Sequence, residues 1–247
     1  MSEKIHDLGA GFWNIRGEFR IGGVINIGTQ CSLIKLESGK FIFLDSYTLT
    51  GEIRDTVMAL TNNGQEVEAV LNVHPFHTVH CAQMARDFPQ ALFYGSSRHA
   101  KKVPEIQWSK DLVESVAVAE RYPELKFSIS QGIEYISPNE MIHAGSLLAY
   151  HPASQSLHVD DTFMSPPTKL LEKVLPEVMI HPTTKKALKS EANAGKQFCD
   201  WATHLAHDWD VRHFCAAHSY LVQFHEGEFE KALLKAVNKA RPKLENA

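Results

Sequence analysis

The segment from Val67 to His80 constrains this chain more than any other. Val67 to Val73 is rich in branched apolar residues and reads as a buried strand. It delivers the chain to His74-Pro75-Phe76-His77-Thr78-Val79-His80. Proline disfavours an α conformation in the residue before it, so His74 finishes the strand while the chain turns. A helical turn after Pro75 would put His77 and His80 on one face, three positions apart. A single histidine is ordinarily a polar loop residue or a hydrogen-bonded core residue. Imidazoles gathered in one loop at a strand end suit zinc and other borderline divalent cations.

The strands around this loop set the fold class. Phe12 to Ile21, Val24 to Ile27, Cys31 to Leu36 and Lys40 to Leu44 read as short strands, punctuated by Gly22-Gly23 and Ser38-Gly39. Thr50 then opens a stretch in which Ile53, Val57, Met58 and Leu60 recur with helical spacing, and Asn62-Asn63-Gly64 stops it. After the histidine loop, Ala82 to Phe88 and Leu112 to Arg121 read as helices and Ala91 to Tyr94 as a strand. A second set of strands follows at Phe127 to Ile129, Glu134 to Ile136, Ser146 to His151 and Ser156 to Val159, with a turn at Pro152-Ala153-Ser154. Helical patterns cover Thr168 to Val174, Lys185 to Leu205 and Glu228 to Ala240, with a short strand around Val211 to Ala216. Two sheets packed together with helices outside them are the expected architecture, in a single domain spanning 1–247 or two tightly fused halves.

Composition narrows the function classes. A chain of 247 residues, 44% hydrophobic and 22% charged, can bury a sizeable core. Its formal charge of -4 offers no broad basic footprint for nucleic acid or an anionic membrane, so a small-molecule substrate is expected. No apolar run is long enough to span a bilayer and Met1 to Gly11 holds no apolar signal core, which leads us to expect a cytoplasmic protein. Cys31, Cys81, Cys199 and Cys215 are far apart and read as reduced thiols. Histidine is the anomaly, at 14 residues, and only its placement gives that meaning.

Three further stations carry chemistry. His143 precedes Ala144-Gly145-Ser146, where small residues let the backbone turn tightly before a strand. Asp161 ends the strand Ser156 to Val159, beside a sheet rim, with Asp160 as a second choice of carboxylate. His218 follows the short strand that ends near Ala216. His204 and His207 have helical spacing and read as surface residues; His151, His158, His181 and His213 are pocket candidates that the sequence does not promote. Phe76, Trp108 and Tyr220 read as core or pocket-wall aromatics.

In their order along the chain these pieces resemble the metallo-β-lactamase superfamily, over roughly residues 28–218. His74, His77 and His80 look like its H-x-H-x-D-H loop, and His143, Asp161 and His218 match its later histidine, aspartate and histidine. The run Phe41 to Asp45 resembles the family's strand that ends in an aspartate supporting the site. Two departures stand out: two residues separate His74 from His77 where the family has one, and Val79 occupies the position of the loop aspartate. The resemblance implies an α+β fold, a four-layer αββα sandwich of two mixed β-sheets flanked by helices. It also implies one or two zinc ions on His74, His77, His80, His143, Asp161 and His218, with Asp161 as the catalytic carboxylate.

The expected activity is metal-dependent hydrolysis of an ester, thioester, lactone, amide or phosphoester by a metal-activated water. Two alternatives stand beside it. One is a mononuclear iron oxygenase acting on a sulfur substrate, since two histidines and a carboxylate suit such a site. The other is a non-catalytic metal-binding or scaffold protein of the same fold, motivated by the missing loop carboxylate.

Overall fold

The computed structural model describes residues 4–21, 25–166, 174–218 and 220–247, without the side chains of 21 and 25. The chain divides into two compact units, Met1–Leu125 and Lys126–Ala247.

The first unit is built on a mixed six-stranded sheet. Its strands are β1 (Lys4–Asp7), β2 (Phe12–Gly17), β5 (Thr29–Lys35), β6 (Phe41–Leu44), β7 (Val67–Leu71) and β8 (Leu92–Tyr94), in that spatial order. Between β2 and β5 lies a small hairpin, β3 (Arg20–Ile21) and β4 (Ile25–Asn26). The first four strands of the sheet pair antiparallel and the last three pair parallel. Parallel neighbours need crossovers, and helices α1 (Gly51–Leu60) and α2 (Cys81–Asp87) provide them.

Cross-strand register explains the core. Leu33 pairs with Phe43, Phe43 with Val70 and Val70 with Phe93, forming one row across a single sheet face. That row shares a hydrophobic cluster with Ile53 and Val57 of α1, Met84 of α2, and Phe88. Two more helices, α3 (Ser97–Lys102) and α4 (Val116–Arg121), complete the unit. The sequence pattern places α4 but not α3, whose Ser-Arg-His-Ala-Lys-Lys has no apolar stripe.

The second unit carries a mixed five-stranded sheet. Its strands are β9 (Lys126–Ile129), β10 (Leu147–His151), β11 (Ser156–Val159), β14 (His213–Ala216) and β15 (Val222–Gln223), with β11 and β14 parallel and the other pairs antiparallel. A two-stranded ribbon, β12 (Phe163–Met164) with β13 (Met179–Ile180), leaves this sheet beyond β11. Helices α5 (Ala194–Asp208) and α6 (Glu228–Glu245) supply Phe198, Ala202, Leu205, Phe229, Leu233 and Val237 to the cluster formed with Tyr150, Leu157 and Phe214. The fold class read from the sequence, two mixed sheets with flanking helices, is the one found.

Two expected elements differ and a third is untested. Glu134 to Ile136 is not a strand: Ile133 makes one isolated bridge to Leu188, and the Glu134 N–H donates to the Ala187 carbonyl. The helix expected from Lys185 to Leu205 is a 3-10 turn at Thr184–Ala187 followed by α5. The cause is the same contact, because pairing to 132–134 pulls 187–189 out of helical geometry. Asn193, in the left-handed region at φ 65°, then restarts the chain. The helix expected from Thr168 to Val174 lies outside the described residues, apart from Val174. Among the described residues no helix is long and apolar enough to cross a membrane, and all four cysteines are buried and free.

Candidate metal centre

In the first unit the histidine loop is suspended from Asp45. This residue ends β6 in the left-handed region at φ 58°, is 1% exposed, and accepts the backbone N–H of Val73 at 2.9 Å and of His74 at 3.4 Å. A buried carboxylate placed on successive N–H groups fixes the path of the chain out of β7. Beside it the Ser46 hydroxyl donates to Asn72 Oδ1 at 2.7 Å, and Asn72 Nδ2 donates to the Tyr94 carbonyl, tying the loop's root to β8. From the far side, Arg98 donates to the Pro75 carbonyl at 3.0 Å and lies over the Phe76 ring at 4.2 Å.

His74 is fully buried, and its ring stacks on that of His77 with centroids 4.1 Å apart. Its Nδ1 accepts the N–H of Phe76 at 3.1 Å. His80 takes a different course at the start of α2. Thr48 holds its Nδ1 through the hydroxyl at 2.9 Å and the backbone N–H at 3.3 Å, and Nε2 is buried with no hydrogen-bond partner. Burial, and then the neighbouring His77, pull its pKa below the usual imidazole range and keep it neutral. Val79 is 70% exposed, so the side chain at the loop-aspartate position faces solvent.

A fourth imidazole, one without a local signal in the sequence, belongs to this unit. His99, on α3, is fully buried, and its Nδ1 accepts the N–H of Ser96 at 3.0 Å. Burial first, then His74, His77 and Arg98, pull its pKa down to about 3. It lies too far along the chain from the loop, on a helix without an apolar stripe, for spacing to have linked them.

The second unit gathers its histidines around Asp161. That carboxylate sits in the turn between β11 and β12 and is 3% exposed. His143 Nδ1 lies 2.8 Å from Asp161 Oδ2, and His218 Nε2 lies 3.4 Å from Oδ1. The segment carrying His143 is locked to the Asp161 turn: the Thr162 hydroxyl donates to the Ala144 carbonyl at 2.8 Å and shares a hydrogen bond with Ser146 Oγ at 2.6 Å. Gly145 is required there, since a Cβ would stand 2.3 Å from the Glu134 carbonyl oxygen. The three stations expected in this half of the chain, His143, Asp161 and His218, therefore meet. Asp160, the second choice of carboxylate, has Oδ2 3.9 Å from Nε2 of the buried His158.

His181 joins them. Its ring centroid is 5.7 Å from that of His143, and the donor atoms of His143, Asp161 and His181 all lie within 4.8 Å of one another. Strand register brings it there. Phe163 pairs with Ile180 across the ribbon, so residue 181 falls opposite Thr162 and next to Asp161. Each strand is two residues long, too short for an alternation pattern to show. The donor set, two imidazoles and a buried carboxylate, suits a divalent cation such as zinc or iron.

Comparison with solved structures gives the fold its name. A metallo-β-lactamase from Erythrobacter litoralis, with β-mercaptoethanol in its active site, superposes with a TM-score of 0.63 over 96% of each chain at 11% identity. One from Pseudomonas aeruginosa in its mono-zinc form covers 98% of this chain and 97% of its own, with a TM-score of 0.62 at 8% identity. A third, from Hirschia baltica, gives 0.61 over 96% of this chain and 98% of its own at 11% identity. No family model matches the sequence, and no curated protein matches it. The chain has the metallo-β-lactamase fold, at sequence identities that carry the fold alone.

Proposed function

We propose that this chain is a metal-dependent hydrolase of the metallo-β-lactamase superfamily. The observation that carries the reading is a carboxylate, Asp161, buried to 3% exposure with His143 and His218 against its two oxygens. A carboxylate so far from water needs its charge balanced, and a divalent cation held together with these imidazoles would balance it.

A bound divalent cation would lower the pKa of a coordinated water towards ~7 and polarise a carbonyl or phosphoryl oxygen. Asp161 would hold the cation through its carboxylate. His143 and His218 complete the holding set, and Thr162 and Ser146 keep the His143 segment in place. By itself the first unit gathers the His74–His77 pair, two imidazoles of metal-binding type, and Asp45 fixes the backbone that carries them. Val79 leaves that loop without the carboxylate the resemblance leads one to expect. A small ester, thioester, lactone, amide or phosphoester is the proposed substrate class, and the cytoplasm the proposed location.

The test is elemental analysis of protein purified without added metal, followed by assay on a panel covering those bonds. Zinc in the preparation, with turnover that chelation and Asp161→Asn both abolish, supports the reading. Iron at one equivalent with oxygen consumption favours the oxygenase, for which two histidines and one carboxylate are also the expected composition. Absence of metal and of turnover on every substrate overturns it.

A further inference from the structure

We propose that His181 is a metal ligand, and that His143, Asp161 and His181 form a cation site held by the second unit on its own residues. The inference rests on the metal-binding reading above but goes beyond the stations that the resemblance supplies, because none of them corresponds to His181.

Three observations support it. The donor atoms of the three side chains lie within 4.8 Å of one another, a spacing from which they can close on one ion. His181 is also held as ligating imidazoles usually are, by its other nitrogen. Nδ1 lies 2.8 Å from the Thr183 hydroxyl and accepts the Thr183 N–H at 3.3 Å, and the Thr184 hydroxyl donates to the His181 carbonyl at 2.8 Å. Nε2 is thereby left as the donor atom for a cation. Finally, the backbone is fixed as well as the ring, since the His181 N–H donates to the Thr162 carbonyl at 3.3 Å beside the Asp161 turn.

A histidine as third donor beside Asp161 supplies a lone pair without adding charge. The site would bear a net positive charge with a divalent ion, which favours an anionic ligand or hydroxide at its open positions.

The experiment uses the full-length chain stripped of metal and titrated with Co²⁺, followed by its visible spectrum and by equilibrium dialysis. Wild type binds cobalt with a tetrahedral-type spectrum. His181→Gln weakens the binding of one equivalent by at least about 100-fold, the upper end of what loss of an outer-shell partner costs. Thr183→Val, which removes only the hydroxyl at Nδ1, weakens it by about 10-fold. His181→Cys gives a signal rather than a loss: coordination by the introduced thiolate adds a near-ultraviolet charge-transfer band that wild type lacks. If wild type binds cobalt and both His181→Gln and His181→Cys retain its affinity, stoichiometry and spectrum, His181 is not a ligand. If wild type binds no cobalt, the metal-binding reading fails first and takes this inference with it.

Discussion

Asp45 allows the link between sequence and site to be tested by stability alone. Replacing it with alanine removes the acceptor for the Val73 N–H at 2.9 Å and the His74 N–H at 3.4 Å, in a position 1% exposed. A hydrogen bond to a charged group contributes about 1.5–3 kcal/mol, and the longer second bond adds little. Alanine at φ 58° also pays a left-handed penalty of about 1 kcal/mol that aspartate, which bonds its own surroundings there, partly escapes. The expected loss is ~3 kcal/mol, which for a chain of this size lowers the melting temperature by about 6–12 °C. Asp45→Asn keeps an acceptor oxygen and tolerance of that backbone, and should cost ~1 kcal/mol, or about 2–4 °C. Differential scanning calorimetry of the metal-free protein measures both. Asp45→Ala melting with wild type, or Asp45→Asn proving as damaging as Asp45→Ala, would refute this role for Asp45.

Other consequences follow from the same structure. Because the His99 pKa is about 3 in the folded chain and ~6.5 in the unfolded one, the unfolded state holds more protons between those values. Its contribution to stability is therefore complete above ~6.5 and is lost as pH falls towards 3, so the denaturation midpoint of His99→Gln should fall less than that of wild type between pH 7 and pH 4. Val79→Asp places its carboxylate on an exposed site, so metal stoichiometry by elemental analysis should match wild type and stability should change by no more than ~0.5 kcal/mol. Gly145→Ala forces a Cβ to 2.3 Å from the Glu134 carbonyl and must move the backbone beside His143. It should cost about 1–3 kcal/mol in chemical denaturation, and equilibrium dialysis should show weaker metal binding.

Much of the fold is legible in the sequence because β6, β10 and β11 are buried along their whole length and β2, β5 and β7 at all but one position, so apolar runs mark them. Strand β11 is found where it was expected, and the β7 strand ends three residues before His74. What escapes is structure made by distant pairing. The bridge from Ile133 to Leu188 breaks a helix that local spacing favours, and β1, with its Lys-Ile-His-Asp, is visible only through its register with β2. The site divides the same way. His143, Asp161 and His218 stand at strand ends, where spacing and turn residues mark them. His181 reaches Asp161 through a ribbon two residues deep, and His99 reaches the loop histidines on a helix with no apolar stripe. Neither has a local signature, so only three-dimensional structure distinguishes them from the surface histidines His204 and His207.

The central claim is that Asp161 and its imidazoles hold a cation, and anomalous diffraction at the zinc edge from crystals grown with zinc tests it most directly. A peak is expected at coordination distance, about 2.0–2.2 Å, from an Asp161 oxygen and a His143 nitrogen. Well-ordered crystals with zinc in the medium and no anomalous density between those side chains would contradict it.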